Sequence, residues 1–292
     1  TKRGNKKLTW ETTSEFNIGL DLGFFDNRIS LSMEYYNRII SDLLVSNKSL
    51  PAYNEINTIA ANIGKTQGRG FELTLSTVNI MNKDWTWSTD FTFYTFKDNW
   101  YERDPNWKPA AYESKKDPIR SYYSYVSDGL LQVGEKAPAW QPTLVPGQIK
   151  LKNLYDTGTS PNVLDQYDKV NLGSQDPKCT LGLNNTLRYK NLDFNIYFYG
   201  EIGRLRGASY YDAWIVGLGN SLTNVSQQSL HSYTNANQNT TVPNLIESAY
   251  DFGDYYHKKI NYLRCRNITL GYTIPVSKSI ANSVRISANV SN

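Results

Sequence analysis

The sequence predicts an all-β fold, an antiparallel up-and-down transmembrane β-barrel, and three observations predict it. Long runs alternate apolar and polar residues with period two, so each has one greasy and one polar face. Short turns alternate with long connections along the chain, the asymmetry of outer-membrane barrels. No stretch approaches the roughly 18 consecutive apolar residues of a helical span, whereas alternating strands cross a membrane at low average hydropathy; the mean hydropathy is −0.54.

The first run sets Phe16, Ile18, Leu20, Leu22 and Phe24 against Asn17, Gly19, Asp21 and Gly23. After Asp26-Asn27, Ile29, Leu31, Met33 and Tyr35 alternate with Ser30, Ser32 and Glu34. The third has Phe71, Leu73 and Leu75 against Glu72, Thr74 and Ser76; the turn Asn82-Lys83-Asp84 leads to a fourth with Trp85, Trp87, Phe91 and Phe93. Leu181, Leu183 and Leu187 mark a fifth over 178–190, and Lys190-Asn191 turns into a sixth with Leu192, Phe194, Ile196 and Phe198. Ile268, Leu270, Tyr272 and Ile274 precede Pro275, and Val284, Ile286, Ala288 and Val290 form the eighth. The runs exceed the about 5–6 residues of a soluble strand and reach the roughly 9–11 of a tilted membrane strand.

The long connections are 45–64, 101–177 and 205–257, rich in Asn, Ser, Thr, Tyr and Pro. Parity places them all on one side. If the short turns are periplasmic, strand 85–100 arrives outside and strand 178–190 departs from outside. Residues 101–177 then form one extracellular subdomain, and the strand-like run Tyr122 to Gln132 lies outside the wall. Prolines 138, 142 and 146 leave no second wall strand to pair with it. Eight wall strands end on an outward one, so a closed barrel needs at least one more.

The 292 residues are 39% hydrophobic and 20% charged, with 22 Tyr, 10 Phe and 7 Trp. Rings with an apolar body and a polar tip suit half-wet places. A net charge of +4 without a basic run gives no nucleic-acid signature. Two cysteines make neither a disulfide framework nor a zinc site. Counted from Leu181, Cys179 falls on the apolar face; counted back from Ile268, Cys265 falls on the polar face. Opposite faces preclude a bridge.

Several stretches resemble the C-terminal half of TonB-linked outer-membrane transporters of the SusC/RagA type. They are Leu8-Thr9-Trp10-Glu11, Phe25-Asp26-Asn27-Arg28, and Asn62-Ile63-Gly64 followed by Gly68-Arg69-Gly70-Phe71-Glu72-Leu73. Tyr125 through Asp128-Gly129-Leu130, Pro146-Gly147-Gln148-Ile149-Lys150, Gly173-Ser174 before Asp176-Pro177-Lys178, and Tyr262-Leu263-Arg264 before Asn267-Ile268-Thr269-Leu270-Gly271-Tyr272 follow in the family's order. The resemblance covers nearly all of residues 1–292 and implies a 22-stranded outer-membrane barrel around a plug. The plug and the TonB-contacting segment have no counterpart in these residues. The resemblance further implies uptake of glycan oligomers, or of peptides, energised by TonB, ExbB and ExbD, with a SusD-like surface lipoprotein as lid. Lipid bilayer and lipopolysaccharide would surround the wall.

The family's Asp-rich loop corresponds here to Asn153, Asp156, Gly158, Asp165 and Asp168, with the acids too spread for a compact calcium loop; Asp156, Asp165 and Asp168 are the metal candidates. Trp100, Tyr101, Trp107, Tyr112, Trp140, Tyr210, Tyr211 and Trp214 are loop aromatics able to stack on sugar rings, or to pack loops together. Trp85 and Trp87, just after a short turn, read as the inner aromatic girdle. His231 and His257 have no acidic motif at ligand spacing, and no hydrolase or phosphate-loop motif occurs. Asn-x-Ser/Thr triplets at Asn47, Asn184, Asn224, Asn239, Asn267 and Asn289 are chance matches in an Asn-rich chain. The rival reading is a soluble or surface-anchored carbohydrate-binding β protein, which strand length opposes.

Overall fold

The computed structural model describes residues 4–49, 58–155, 162–207, 227–244, 251–276 and 283–292. Its strands in chain order are β1 (Thr12–Phe24), β2 (Ile29–Ser41), β3 (Leu44–Ser49), β4 (Thr58–Asn62), β5 (Lys65–Met81), β6 (Trp85–Glu102) and β7 (Ser121–Ser124). There follow β8 (Ser127–Leu130), β9 (Ile149–Leu151), β10 (Val170–Ser174), β11 (Cys179–Tyr189), β12 (Leu192–Arg206), β13 (Lys258–Ile274) and β14 (Val284–Ser291). Two compact units result. The first holds Thr1–Pro105, Pro177–Gly203 and Asn261–Asn292; the second holds Asn106–Asp176 and Arg204–Ile260.

The first unit is built on one eight-stranded sheet in the order β1-β2-β5-β6-β11-β12-β13-β14. All eight expected wall strands are present, and β6 pairs directly with β11, so residues 101–177 supply none. Register turns the period-2 runs into continuous rows. Leu20 pairs with Met33, Met33 with Leu73, Leu73 with Phe93, and Phe93 with Leu181. The next row runs Leu22, Leu31, Leu75, Phe91, Leu183, Phe198. A slip of one residue in any strand would throw its apolar set to the other face, so the two-faced pattern holds the register.

Where the apolar alternation skips Thr77, Thr89 and Asn185, the three gaps fall on one row. There they satisfy one another. The Thr77 hydroxyl donates to Asn79 Oδ1 at 2.9 Å, Asn79 Nδ2 donates to Thr89 Oγ1 at 2.8 Å, and Thr89 Oγ1 donates to Asn185 Oδ1 at 2.7 Å. Trp87 Nε1 donates to the same Asn185 oxygen at 3.1 Å. A polar row on a greasy face survives because each side chain is partnered.

Side-chain contacts reverse the expected face of Cys265. Leu263 Cδ1 lies 3.3 Å from where a Cβ on Gly200 would sit, and Gly200 pairs with Leu181 on the apolar face. Arg266 instead stands over the Tyr199 ring at 5.7 Å, on the polar face. Asn267 shares that polar face, its Nδ2 donating to Thr269 Oγ1 at 3.0 Å. Arg266 and Asn267 are therefore consecutive on one face, which is a β-bulge. Parity counted back from Ile268 fails across it, and Cys265 turns to the apolar side with Leu263. Both cysteines are free. β12 lies between their strands, so the ladder spacing alone keeps them at least roughly 9–10 Å apart, beyond the about 7 Å a bridge allows.

The second unit carries its own core of Leu130, Ile149, Leu151, Tyr233 and Tyr256, packed by Tyr125, Leu164, Val242, Phe252 and Tyr255. These residues come from two of the three long connections, 101–177 and 205–257. The segment 101–177 is thus not a subdomain by itself but half of one. The run Tyr122 to Gln132 is also not a single strand: β7 pairs with β10 and β8 with β9. Gly147 makes the interlock possible. Its φ is +88°, and a Cβ there would sit 2.5 Å from the Tyr233 ring. Tyr233 closes over it, its hydroxyl accepting from Val133 N at 3.1 Å, while Asn244 Nδ2 donates to Pro146 O at 2.6 Å.

Candidate functional site: the polar wall and the loop unit

On the polar face, Tyr36 crosses above Gly70, where a Cβ would lie 2.5 Å from the ring. Its hydroxyl reaches that of Tyr94 at 2.8 Å. Tyr94 stacks with Phe96, Arg38 lies 5.9 Å from the Tyr36 ring, and Glu15 holds Arg38 at 2.5 Å. Further along, Arg103 stands 5.3 Å over Trp100. A second group forms on β12 and β13, with Tyr199 and Tyr262 at 6.2 Å and Arg264 5.6 Å over Tyr262. These ring faces and guanidinium groups can stack on planar or ring-shaped polar solutes and hydrogen-bond their edges. Nearer the short turns the same face is lined by small residues. Asp21, Gly23, Asn27, Ser30, Ser32, Thr74 and Ser76 border an open recess of about 290 Å³.

Two of the loop acids, Asp165 and Asp168, hold backbone N–H groups. Asp168 is completely buried. Its Oδ1 accepts from Leu154 N at 2.7 Å and Tyr155 N at 3.1 Å, and its Oδ2 from Asp165 N at 2.9 Å. Asp165 caps the same 3-10 turn, Gln166–Asp168, by accepting from Tyr167 N at 2.7 Å. Both carboxylates face N–H donors, where a cation would gather further oxygens. Asp156 lies outside the described residues, and these hold no group of three His, Cys, Asp or Glu poised for a metal.

The aromatic candidates divide. Trp100 and Tyr101 end a wall strand, Trp100 beside Arg103 and Tyr101 largely exposed. Trp107 is half-buried in the loop unit. Tyr112 packs on Tyr123 at 5.1 Å with Lys169 over its ring, and Trp140 Nε1 donates to Leu151 O at 2.7 Å, so these two hold the loop unit together. Tyr210, Tyr211 and Trp214 lie outside the described residues. His257 stands edge-on to Tyr122 at 5.2 Å, and burial pushes its pKa down against the opposing pull of Asp254 and Asp251. His231 serves by its backbone, its carbonyl accepting from Asn237 and Thr240. The wall tyrosines 36, 94, 199 and 262 escaped the sequence reading. A tyrosine opposite a glycine on the polar side of an alternating run, as Tyr36 is opposite Gly70, is the signal that reveals one.

A family model described as TonB dependent receptor-like, beta-barrel matches residues 1–292. TonB-dependent receptor P3 of Formosa agariphila is 29% identical over 95% of this chain and 28% of its own length. TonB-dependent receptor SusC of Bacteroides thetaiotaomicron is 28% identical over 93% of this chain and 27% of its own. The solved RagAB peptide importer in the 'open-open' state matches all of this chain and 32% of its own at TM-score 0.76 and 21% identity. The chain thus spans under a third of the length of these relatives.

Proposed function

Because the chain belongs to the TonB-dependent receptor-like β-barrel family, we propose that it forms the wall and outer loops of a TonB-energised importer of glycan oligomers. Outer-membrane barrels define that family, and the relatives are receptors and transporters rather than enzymes. The observation that carries the reading is the two-faced sheet. Apolar rows run from strand to strand on one side, interrupted by the hydrogen-bonded row of Thr77, Thr89 and Asn185, while tyrosines and arginines stand on the other. A soluble β protein has no use for so long a greasy face. The apolar face meets lipid, the polar face lines the lumen, and the long connections stand outside the cell.

Within the lumen, rings with phenolic edges match the apolar face and hydroxyl rim of a sugar, which supports glycan cargo. The resemblance of the sequence to SusC/RagA-type transporters implies the same cargo. The chain supplies walls and contacts only; energy reaches the cargo through TonB, ExbB and ExbD. A SusD-like surface lipoprotein closes over the loop unit. The RagAB likeness makes peptides the second reading.

The test is uptake by the intact protein with its lipoprotein. Panels of labelled oligosaccharides and oligopeptides are offered to cells carrying wild type, Tyr199→Ala or Tyr262→Ala. Oligosaccharide uptake that depends on TonB and falls several-fold in both variants is the expected result. Uptake of peptides alone replaces the glycan reading, and uptake of neither removes it.

A further inference from the structure

We propose that Arg69 and Lys97 form a binding site for a phosphate of an outer-leaflet lipid, on the lipid-facing side of the wall. The inference rests on the reading of the sheet as a membrane wall with its long connections outside. Arg69 on β5 and Lys97 on β6 are direct cross-strand partners, in the row that also holds Phe16 and Asn37. No register shift separates Arg69 from Phe71 or Lys97 from Phe93, so both share the apolar face. Both are exposed, and neither makes an ion pair among the described residues.

Like charges directly opposite destabilise a strand pair, and side chains there stand only about 5 Å apart. Two unneutralised cations at that spacing are best stabilised by one anion between them. Depth says which anion. Along β6, Lys97 stands ten residues from Trp87, which sits at the short-turn end of the apolar face. Ten residues rise about 33 Å, which a strand tilted near 40° turns into roughly 25 Å of membrane depth. That equals the height of a barrel's apolar band. With one end of the band at Trp87, the cations stand at the headgroup level of the far leaflet.

The row beneath them is greasy through Ile18, Tyr35 and Phe71 and ends at Thr95, whose hydroxyl is taken up by Lys178 O. The row above sets Ser14, Gln67 and Asn99 beside Ile39. Gln67 Nε2 donates to Asn37 Oδ1 at 2.8 Å, and Asn99 pairs with Gln67 across the ladder. A lipid can therefore lay acyl chains on Phe71 and Tyr35 while a phosphate bridges Arg69 and Lys97 and a sugar or glycerol headgroup meets the amides. Arg69 belongs to the Gly68-Arg69-Gly70 stretch, where Gly70 already serves Tyr36 on the opposite face. One short segment thus serves both sides of the wall.

The probe is bisphosphorylated lipid A, titrated against the purified intact transporter in detergent and read by native mass spectrometry. Wild type is expected to bind it about 10- to 30-fold more tightly than the Arg69→Ala/Lys97→Ala variant, two headgroup-level cations being lost. Arg69→Lys/Lys97→Arg, which preserves both charges, should retain most of the affinity. Dephosphorylated lipid A should bind wild type and variant alike. Equal affinity of wild type for the phosphorylated and dephosphorylated lipids overturns the site, whatever the variants do. So does saturation by millimolar inorganic phosphate without lipid, which would mark a mere anion trap. Heat-modifiable gel mobility confirms folding of each variant. Absence of the wild type from the outer-membrane fraction would defeat the wall reading itself, before any lipid is added.

Discussion

Tyr36 reaches Tyr94 only because position 70 has no side chain. Gly70→Ala puts a methyl group where the Tyr36 ring lies, and overpacking of this kind costs about 1–3 kcal/mol. Tyr36→Ala in the same protein removes the collision, so the double variant should lose less than the two single losses added. Thermal midpoints of the heat-modifiable form measure both. At Asp168, one carboxylate accepts three backbone N–H groups without solvent. Asp168→Asn presents an amide N–H₂ to those donors and should cost about 1–3 kcal/mol in the loop unit. N–H donors already occupy both Asp168 oxygens, so EDTA is expected to leave wild-type stability unchanged; a calcium-dependent midpoint would return the acids to a ligand role. His257 titrates in the opposite sense to a salt-bridged histidine. Its pKa is held below the ordinary value by burial, with Asp254 and Asp251 offsetting part of that. Its neutral form therefore stabilises the fold above about pH 6.5, and the contribution is lost as pH falls through the lower folded value. Amide exchange in 251–257 should quicken on acidification through that window in wild type and less in His257→Gln.

At the scale of elements, strand identity was legible because a membrane wall must alternate, and Phe16 to Phe24 or Leu181 to Leu187 can do so only as strands. What escaped was any feature that breaks the period. The polar row Thr77, Thr89 and Asn185 looks like three separate lapses until register brings them together. The bulge at Arg266 and Asn267 carries no local sequence mark and inverts every position before it, although β13 itself starts at Lys258, where the expected connection 205–257 ends. β7 and β8 read as one run because Tyr125 and Val126 suit a strand; only their partners, β10 and β9, separate them. The inversion is open to measurement. With Cys179 replaced by Ser, Cys265 in the bilayer-embedded protein should react with a lipid-soluble maleimide and resist a charged thiol reagent. The reverse preference would restore the lumenal side. Mass spectrometry should also find no peptide linking Cys179 to Cys265 in wild type.

Across the whole molecule, the wall was readable from strand parity, whereas the loop unit was not, because its core joins residues such as Leu151 and Tyr233 that are distant in sequence. For the same reason aromatic richness led to Tyr112 and Trp140, which pack loops, and passed over Tyr199 and Tyr262, whose place depends on register. Parity nonetheless commits the chain to one arrangement across a membrane. Three short turns, at 25–28, 82–84 and 190–191, share one rim with the connection from β13 to β14, since alternate connections of an up-and-down antiparallel sheet lie at the same end. The connections β2 to β5, β6 to β11 and β12 to β13 share the other. The Trp85 and Tyr189 rings pair at 4.3 Å beside two of the short turns, and Lys190 N donates to Asp84 O at 2.8 Å, tying those turns together. In outer-membrane barrels, short turns face the periplasm and long loops the outside. Single cysteines at Ser127 and Lys136 in the intact protein should therefore react with an impermeant thiol reagent on whole cells. A cysteine at Asn82 should react only after the cells are opened. Ser127 is the stricter site, because its backbone N–H and hydroxyl both bind Asp254, so Lys136 serves as the exposed control. Labelling at Asn82 with protection at Lys136 would invert the whole wall, and with it the leaflet in which Arg69 and Lys97 stand.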